Sequence, residues 1–106
     1  MNKVINAIQA KKLREKNPNI TFLDVREELE VVIATISNSM HIPLNLLTEK
    51  IDQIPKDYPL IVYCHHGIRS QQAVNFLLAN GFNQIANLNG GINAWSIEVD
   101  PSIPTY

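Results

Sequence analysis

An α/β fold built on a largely parallel sheet is the arrangement that this sequence favours. Short runs of β-branched, aromatic and aliphatic residues alternate along the chain with segments whose apolar residues recur at helical spacing. The central run, Leu60-Ile-Val-Tyr63, has no polar alternation, which is typical of a strand covered on both faces. A helical pattern follows over residues 71–80, and Gly81 lies where that helix would end. Parallel strands joined by helices are what this alternation predicts.

The first half of the chain supplies two strands and two helices. Residues 3–5 are predicted to be extended, and Asn6 is a suitable cap for a helix to about residue 15, with Ile8 and Leu13 on its inner side. Residues 20–24 form the second predicted strand, which ends in the polar cluster of residues 24–28. Residues 29–35 are predicted as a short helix, although their β-branched residues fit a strand equally well.

The second half adds two strands around the central one. Residues 39–42 are predicted as a brief strand, and residues 44–54 as a helix that begins near Asn45 or Thr48. Residues 84–87 form the last predicted strand, after which Asn89-Gly-Gly91 opens a short helix that carries Trp95. The tail from Asp100 contains two prolines and is expected to run extended across the surface.

Length and composition narrow the possible functions. The 106 residues suit a single domain, residues 1–106, which buries roughly 65% of its unfolded surface. Nine Lys or Arg balance ten Asp or Glu, with no basic stripe among aromatic residues, so nucleic acid is not an expected partner. No apolar run suits a signal peptide or a membrane span, so the expected location is the cytoplasm. The sequence does not indicate an oligomeric state, and a monomer is the default expectation.

The only cysteine of the chain, Cys64, needs an explanation. A single cysteine excludes an internal disulfide, which agrees with a reducing compartment. Cys64 follows the central strand and precedes a helix, and ligands of open α/β sheets bind at that edge. A small buried hydrophobic role is the ordinary alternative. The polar residues that follow, His, His, Gly and Arg, argue instead for an accessible, reactive thiol.

The surroundings of Cys64 favour the thiolate. A helix amino terminus presents unpaired N–H groups and a partial positive charge, which lower the pKa of a thiol and bind anions. The loop from His65 to Arg69 can curl its amides around the sulfur, because Gly67 gives the backbone the necessary freedom. Arg69 adds a permanent cation. The sequence therefore predicts a sulfur nucleophile beside a site for an oxyanion.

The histidines are not expected to hold a metal. Cys64, His65 and His66 are adjacent and cannot easily converge on one ion, and no second cluster completes a tetrahedral set. His41 lies between apolar residues and is expected to be structural. For His65 and His66 we expect solvated loop positions with a tuning role, and no partner acid for a Cys-His dyad is evident.

Four segments resemble motifs of the single-domain rhodaneses, the thiosulfate sulfurtransferase family. The loop Tyr63-Cys-His-His-Gly-Ile-Arg-Ser70 is similar to the active-site loop of that family. The others match in the same order: Leu23-Asp-Val-Arg-Glu27, His41-Ile-Pro-Leu44 and Leu88-Asn-Gly-Gly-Ile-Asn-Ala-Trp95. Each motif is weak alone, but four in order are specific. One departure is the segment of residues 31–36, which is more apolar than the usual Gly-His-Ile stretch.

The resemblance implies a rhodanese-like three-layer fold, with a mostly parallel five-stranded sheet flanked by helices. It also implies a ping-pong reaction through a persulfide on Cys64, without cofactor or metal. The loop would stabilise that persulfide through its amides, and its residues are His65, His66, Gly67, Ile68, Arg69 and Ser70. Arg69 would also attract an anionic donor such as thiosulfate. The acceptor would be cyanide or a thiol, with a sulfur-relay protein as a further candidate partner.

The resemblance leaves the roles of other motif residues more open. Asp24 and Arg26 would orient the loop, although a structural salt bridge explains them nearly as well. Gly90, Gly91 and Trp95 are interpreted as packing and turn residues.

Two other classes compete with a sulfurtransferase. Cysteine phosphatases and arsenate reductases also use a strand, loop and helix, but with five residues between Cys and Arg, whereas four separate Cys64 from Arg69. The shorter loop suits one sulfur atom better than a tetrahedral phosphate. The other alternative is a binding or sulfur-carrier module that keeps the fold without turnover.

Overall fold

The computed structural model describes residues 3–106, and within them a five-stranded sheet is flanked by helices. In chain order the elements are β1 (Val4–Ile5), α1 (Ala7–Lys16), β2 (Thr21–Asp24), α2 (Glu28–Ile33), β3 (Ser39–His41), α3 (Leu47–Lys50), β4 (Leu60–Tyr63), α4 (Ile68–Ala79), β5 (Ile85–Leu88) and α5 (Gly91–Glu98). The predicted α/β fold with five strands is confirmed.

Every pair of neighbouring strands is parallel, in the order β1-β5-β4-β2-β3. The strand β4 therefore lies at the centre of the sheet, and each of its residues is buried. Its apolar run without polar alternation predicted this position correctly, because a central parallel strand has both faces covered. The carboxyl end of β4 meets the ends of β2 and β5 at one edge.

Side chains of β4 alternate between two hydrophobic cores. Leu60, Val62 and Cys64 face the core that α3 and α4 complete, whereas Ile61 and Tyr63 face the core formed with α1 and α5. Successive side chains of a strand point to opposite faces, so one strand contributes to both. Helices, sheet and helices thus form the three layers that the resemblance implied. They place Cys64 on the α4 side.

The helix α1 begins where predicted, but only one of the two residues predicted on its inner side packs against the core. The side chain of Asn6 caps the helix by accepting a first-turn backbone N–H at 2.8 Å. Leu13 packs against the core, as expected. Ile8 does not, since it is 38% exposed, while Ala7 and Ala10 are fully buried. The prediction for Ile8 was wrong because two alanines, being small, form the contact surface of this helix.

Two predicted helices have different boundaries in the structure. The helix α2 spans Glu28–Ile33 rather than residues 29–35. The predicted helix over residues 44–54 was wrong as a single element, because α3 is a single turn between two 3₁₀ turns. The helical geometry is interrupted at Leu46, where φ is −103° and ψ is 0°. The break lets Leu46 pack on the same core as Leu44 and Leu47, whereas a regular helix turns residues two apart to opposite sides.

The helix α4 begins earlier than its apolar pattern indicated. Its first residue is Ile68, so Ile68 and Arg69 lie in the first turn rather than in the loop. Gly67 precedes the helix with φ +111°, a left-handed conformation that favours glycine. Gly81 follows its end with φ +90°, as predicted. None of the helices within residues 3–106 has the length and apolar character that crossing a bilayer requires.

The tail after α5 turns back toward the sheet. The carboxylate of Asp100 accepts hydrogen bonds from the amide and hydroxyl of Ser102, which makes a turn instead of the extended run expected there. The hydroxyl of Ser96 then donates to the carbonyl of Ile103. This path brings Tyr106 to the carboxyl edge of the sheet, beside Arg26 at the end of β2.

Candidate active site

The thiol of Cys64 lies beneath the amides of the loop that follows β4. The Gly67 amide is 3.1 Å and the Ser70 amide 3.4 Å from Sγ. The predicted curling of the loop around the sulfur is therefore observed. The expectation that Cys64 would be accessible was wrong, because the residue is only 1% exposed. The first turn of α4 covers the sulfur, so the thiol is buried and surrounded by hydrogen-bond donors at the same time.

Two opposing effects set the pKa of the Cys64 thiol. Burial raises the pKa, because a charged sulfur loses its water. Hydrogen bonds that a thiolate can accept, from the Ser70 hydroxyl and from the amides of Ser70, Gly67 and His66, lower it. These bonds outweigh burial, and the pKa lies below that of an ordinary cysteine. The site therefore favours a thiolate, which is the nucleophilic form.

The loop is held in place by β5 as well as by its own turn. The side-chain amide of Asn87 donates to the Gly67 carbonyl at 3.0 Å. The Ser70 hydroxyl is 3.3 Å from the sulfur of Cys64 and 2.5 Å from Oδ1 of Asn87. Asn87 was not predicted as a site residue, although a polar residue within an otherwise apolar strand was a signal for it.

The close approach of Gly91, the first residue of α5, explains why the loop amides point at the sulfur. Gly91 lies so close that a Cβ there would overlap the carbonyl oxygens of Cys64 and His65. The amide of Ile92 donates to the Cys64 carbonyl at 2.9 Å, and that of Asn93 to the His65 carbonyl at 3.2 Å. These bonds hold both carbonyls toward α5 and away from the sulfur. The interpretation of Gly91 as a packing residue is therefore incomplete.

Arg69 is paired with an acidic residue that sequence reasoning missed. Its guanidinium binds both carboxylate oxygens of Glu30, at 2.6 and 2.9 Å. The Tyr106 hydroxyl donates to the same carboxylate at 2.8 Å and accepts from Arg26 at 2.6 Å. The Arg69 bond lowers the pKa of Glu30 to about 2, against the partial burial that raises it. Glu30 therefore neutralises the charge of the Arg69 guanidinium across the usual pH range.

Asp24 and Arg26 form a buried ion pair next to the contacts between Arg69, Glu30 and Tyr106. Arg26 is fully buried, Asp24 is 1% exposed, and two guanidinium nitrogens bind the carboxylate at 2.7 and 2.9 Å. Arg26 also donates to the Ala34 carbonyl at 2.6 Å. Burial alone would lower the pKa of Arg26, but its hydrogen bonds outweigh that effect and raise it. These contacts run to α2 and Tyr106, which favours the structural interpretation over direct orientation of the loop.

The three histidines lie in different environments. The ring of His65 stacks on that of Tyr106, with centroids 3.9 Å apart and planes at 4°. The ring of His66 lies on it at a tilt of 32°, with centroids 3.9 Å apart. Burial and the neighbouring His66 lower the pKa of His65, whose Nε2 is buried and unpartnered among the described residues. His65 is therefore not the solvated residue we expected, whereas His66 is exposed. His41 has the structural contact predicted for it, with Nε2 2.7 Å from the Arg26 carbonyl.

Comparison with known proteins identifies the family. The family model described as "Rhodanese-like domain" matches residues 6–98. The chain belongs to the rhodanese-like domain family. A rhodanese-related protein from Thermoplasma volcanium has the same fold, with a TM-score of 0.83, 37% identity and coverage of 99% of this chain and 100% of that one.

Relatives of this rhodanese-like domain carry sulfurtransferase names. The thiosulfate sulfurtransferase GlpE of Coxiella burnetii is 34% identical over 90% of this chain and 88% of its own length. An adenylyltransferase and sulfurtransferase MOCS3-1 from Zea mays is 36% identical over 96% of this chain. The chain spans only 23% of that longer protein, so the maize protein contains much more than the shared domain.

The rhodanese-like fold brings most of the predicted site residues together. The loop after Cys64 holds His65, His66 and Gly67, and the first turn of α4 holds Ile68, Arg69 and Ser70. Of these, Gly67 and Ser70 contact the sulfur, whereas Arg69 contacts Glu30. Ile68 is 75% exposed and lies on the outer side of the first turn. Glu30, Asn87 and Tyr106 were missed. Glu30 is the second of two acids in α2 and precedes three apolar residues, which was a weak signal, and nothing near Tyr106 pointed to the site.

Proposed function

We propose that this domain is a sulfurtransferase that moves a sulfane sulfur from a donor to a thiophilic acceptor through a persulfide on Cys64. One observation carries the proposal: the sulfur lies at the amino terminus of α4 with the Gly67 and Ser70 amides 3.1 and 3.4 Å away. Such amides stabilise a negative charge on sulfur before and after it receives a second sulfur atom. The name of the GlpE relative makes thiosulfate the first donor to test.

The proposed reaction has two half-reactions. In the first, the Cys64 thiolate attacks the outer sulfur of thiosulfate, a bond forms between the two sulfurs, and sulfite leaves with the electron pair of the broken S–S bond. In the second, cyanide or an acceptor thiolate attacks the outer sulfur of the persulfide. Thiocyanate or a new persulfide leaves, and the Cys64 thiolate is regenerated. The amides stabilise the negative charge on Sγ before loading and on the outer sulfur of the persulfide afterwards, which is covalent catalysis without a separate base.

The contacts of Arg69 count against a phosphatase. A cysteine phosphatase needs an arginine that is free to clamp the oxygens of a phosphate, whereas both terminal nitrogens of Arg69 bind Glu30. Only four residues separate Cys64 from Arg69, which leaves a small loop. A sulfur carrier that loads but does not turn over uses the same contacts, so measurement of turnover separates it from an enzyme.

Sulfur loading of the intact protein tests the proposal. After incubation with thiosulfate, we expect the mass to rise by one sulfur atom per chain, and cyanide to remove that atom as thiocyanate. The matched control is Cys64→Ser, which keeps the size of the side chain and should gain no sulfur. Absence of loading, together with phosphate-ester hydrolysis that depends on Cys64, would favour a phosphatase. Loading without catalytic release to cyanide or a thiol would favour a carrier.

Glu30 is expected to control which donor is used. We propose that pairing with Glu30 weakens the attraction of Arg69 for thiosulfate, because the carboxylate cancels the charge of the guanidinium. Glu30→Gln keeps the shape and removes the negative charge. We expect roughly three- to tenfold faster loading from thiosulfate at low ionic strength, with a smaller gain at high salt because ions screen partly exposed charges. Stopped-flow measurement of sulfite release would follow this change.

Two comparisons give this experiment its controls. Loading from an uncharged alkyl persulfide should change by less than about twofold in Glu30→Gln, since no long-range attraction acts on it. Glu28→Gln removes one charge from the same helix at an exposed residue that forms no ion pair within residues 3–106. We expect it to leave the ratio of the two donors nearly unchanged. An equal gain in both glutamine variants would remove the role assigned to Glu30.

A further inference from the structure

A buried asparagine lies one hydrogen bond away from the group that contacts the sulfur. Asn87 is 6% exposed, in the central part of the sheet next to β4. Its side chain makes three hydrogen bonds, to the Ser70 hydroxyl, the Gly67 carbonyl and the Gln71 side chain. Buried polar groups are retained in a core only when their hydrogen bonds are satisfied. All three partners of the Asn87 side chain belong to the loop or to the first turn of α4.

The orientation of the Asn87 amide follows from its partners. Nδ2 lies 3.0 Å from the Gly67 carbonyl, and a backbone carbonyl can only accept a hydrogen bond. The NH₂ group must therefore face Gly67, which turns Oδ1 toward Ser70 Oγ at 2.5 Å. An amide oxygen is also only an acceptor. The single hydroxyl proton of Ser70 consequently points at Asn87.

While the hydroxyl proton points at Asn87, Ser70 donates no hydrogen bond to the sulfur. In that arrangement its Oγ, 3.3 Å from Sγ of Cys64, can only accept a hydrogen bond from the thiol. A thiolate has no proton to donate, and it gains a bond from Ser70 only if the hydroxyl rotates away from Asn87. Asn87 and the charged sulfur therefore compete for one proton.

We propose that Asn87 is a positioning residue that holds the Ser70 proton away from Cys64, and thereby limits the fraction of thiolate in the unloaded site. The proposal requires only that Cys64 reacts as a thiolate, and it adds a control on that state to the proposed function. Ionisable groups around the loop are His65 and His66 within it, Arg69 of α4, Glu30 of α2, and Tyr106 over His65. Within residues 3–106 no hydrogen bond joins the Asn87 side chain to any of these five, so its effect passes through Ser70.

The rate of Cys64 alkylation by iodoacetamide, measured across pH on the 106-residue chain, tests this inference. In Asn87→Ala we expect the midpoint of the pH profile of alkylation to move to lower pH. At a fixed pH below the wild-type midpoint, alkylation should be roughly three- to tenfold faster, which corresponds to about one neutral hydrogen bond. In Ser70→Ala we expect slower alkylation. When Ser70→Ala is already present, adding Asn87→Ala should change the rate by less than about twofold.

Further variants separate this role from a merely structural one. Asn87→Asp keeps the size and still accepts the Ser70 proton, so alkylation should become slower, opposite to the alanine variant. A loosened loop would change both variants in the same direction. Gln71→Ala removes the other acceptor of Asn87 Nδ2, at 3.2 Å, and should leave the midpoint in place.

Defined results would overturn the inference. The first is a pH midpoint of alkylation in Asn87→Ala that is unchanged or higher than in the wild type. The second is a shift caused by Asn87→Ala that is equally large when Ser70→Ala is already present. If the alanine variant does not fold, faster alkylation in Asn87→Asp would overturn it as well. Alkylation needs no sulfur donor, so a failure of the sulfurtransferase proposal would appear separately, in the loading assay.

Discussion

Replacing Gly91 with alanine is expected to slow sulfur loading of Cys64 by at least about tenfold and to destabilise the fold by about 3 kcal/mol. The new Cβ would overlap the carbonyl oxygens of Cys64 and His65, which are backbone atoms that cannot move independently of the loop. Gly91 also has φ +59°, which costs a non-glycine residue about 1–2 kcal/mol. The displaced α5 amides would lose two hydrogen bonds, worth about 1 kcal/mol each. Stopped-flow loading and urea unfolding measure the two effects.

Gly81→Ala is the matched control for the backbone conformation. Gly81 has φ +90°, and a Cβ there meets only the flexible Nζ of Lys56, at 3.4 Å. We therefore expect about 1–2 kcal/mol of destabilisation with normal loading per folded molecule. If Gly91→Ala loads sulfur at the rate of Gly81→Ala, the contact between α5 and the loop does not orient the amides.

Asp24→Ala is expected to produce the largest loss of stability, about 3–5 kcal/mol, because it leaves the charge of Arg26 buried without its partner. Arg26 is fully buried, so water cannot replace the lost carboxylate without opening the core. A domain of this size has a total stability of about 5–15 kcal/mol, so the variant should unfold at a much lower urea concentration. Chemical denaturation at neutral pH, monitored by the fluorescence of Trp95, gives the difference.

The exposed pair Lys11–Glu15 provides the comparison for that experiment. Its side chains are 47% and 62% exposed, so Glu15→Ala should cost less than about 0.5 kcal/mol. Similar losses in the two variants would contradict the assigned importance of burial. The rate of sulfur loading by the folded fraction of Asp24→Ala also tests whether the Asp24–Arg26 pair is structural or orients the loop. A normal rate would favour a structural ion pair, and a rate reduced tenfold would favour orientation of the loop.

The parts of the fold that depend on local pattern could be predicted from the sequence. The apolar run of β4 and the polar cap Asn6 specify a central strand and a helix start through their own chemistry. The inner position of Ile8 and the unbroken helix over residues 44–54 were wrong predictions, because both depend on which neighbours approach and periodicity alone does not contain that information. The start of α4 at Ile68 was missed because Gly67 supplies the capping conformation.

In the candidate site, too, the features set by local sequence could be predicted and those set by tertiary packing could not. The position of Cys64 between a strand and a helix follows from consecutive residues, and so does the turn of the loop around its sulfur. Glu30, Asn87 and Tyr106 contact the loop from positions 17 to 39 residues distant in sequence, or from the tail. Such contacts depend on tertiary packing, and single residues without a repeating pattern do not indicate them. The burial of Cys64 was missed for a related reason, since polar neighbours in sequence say little about cover from a helix.

The cover over Cys64 also has a consequence for oxidation. A disulfide requires its two sulfur atoms to approach to about 2.05 Å, and this chain has a single cysteine that is 1% exposed. Two folded copies cannot bring their thiols that close while α4 remains in place. Air should therefore not cross-link the protein into covalent dimers, and a reagent that reaches the sulfur must be slender or carried on a narrow extended segment.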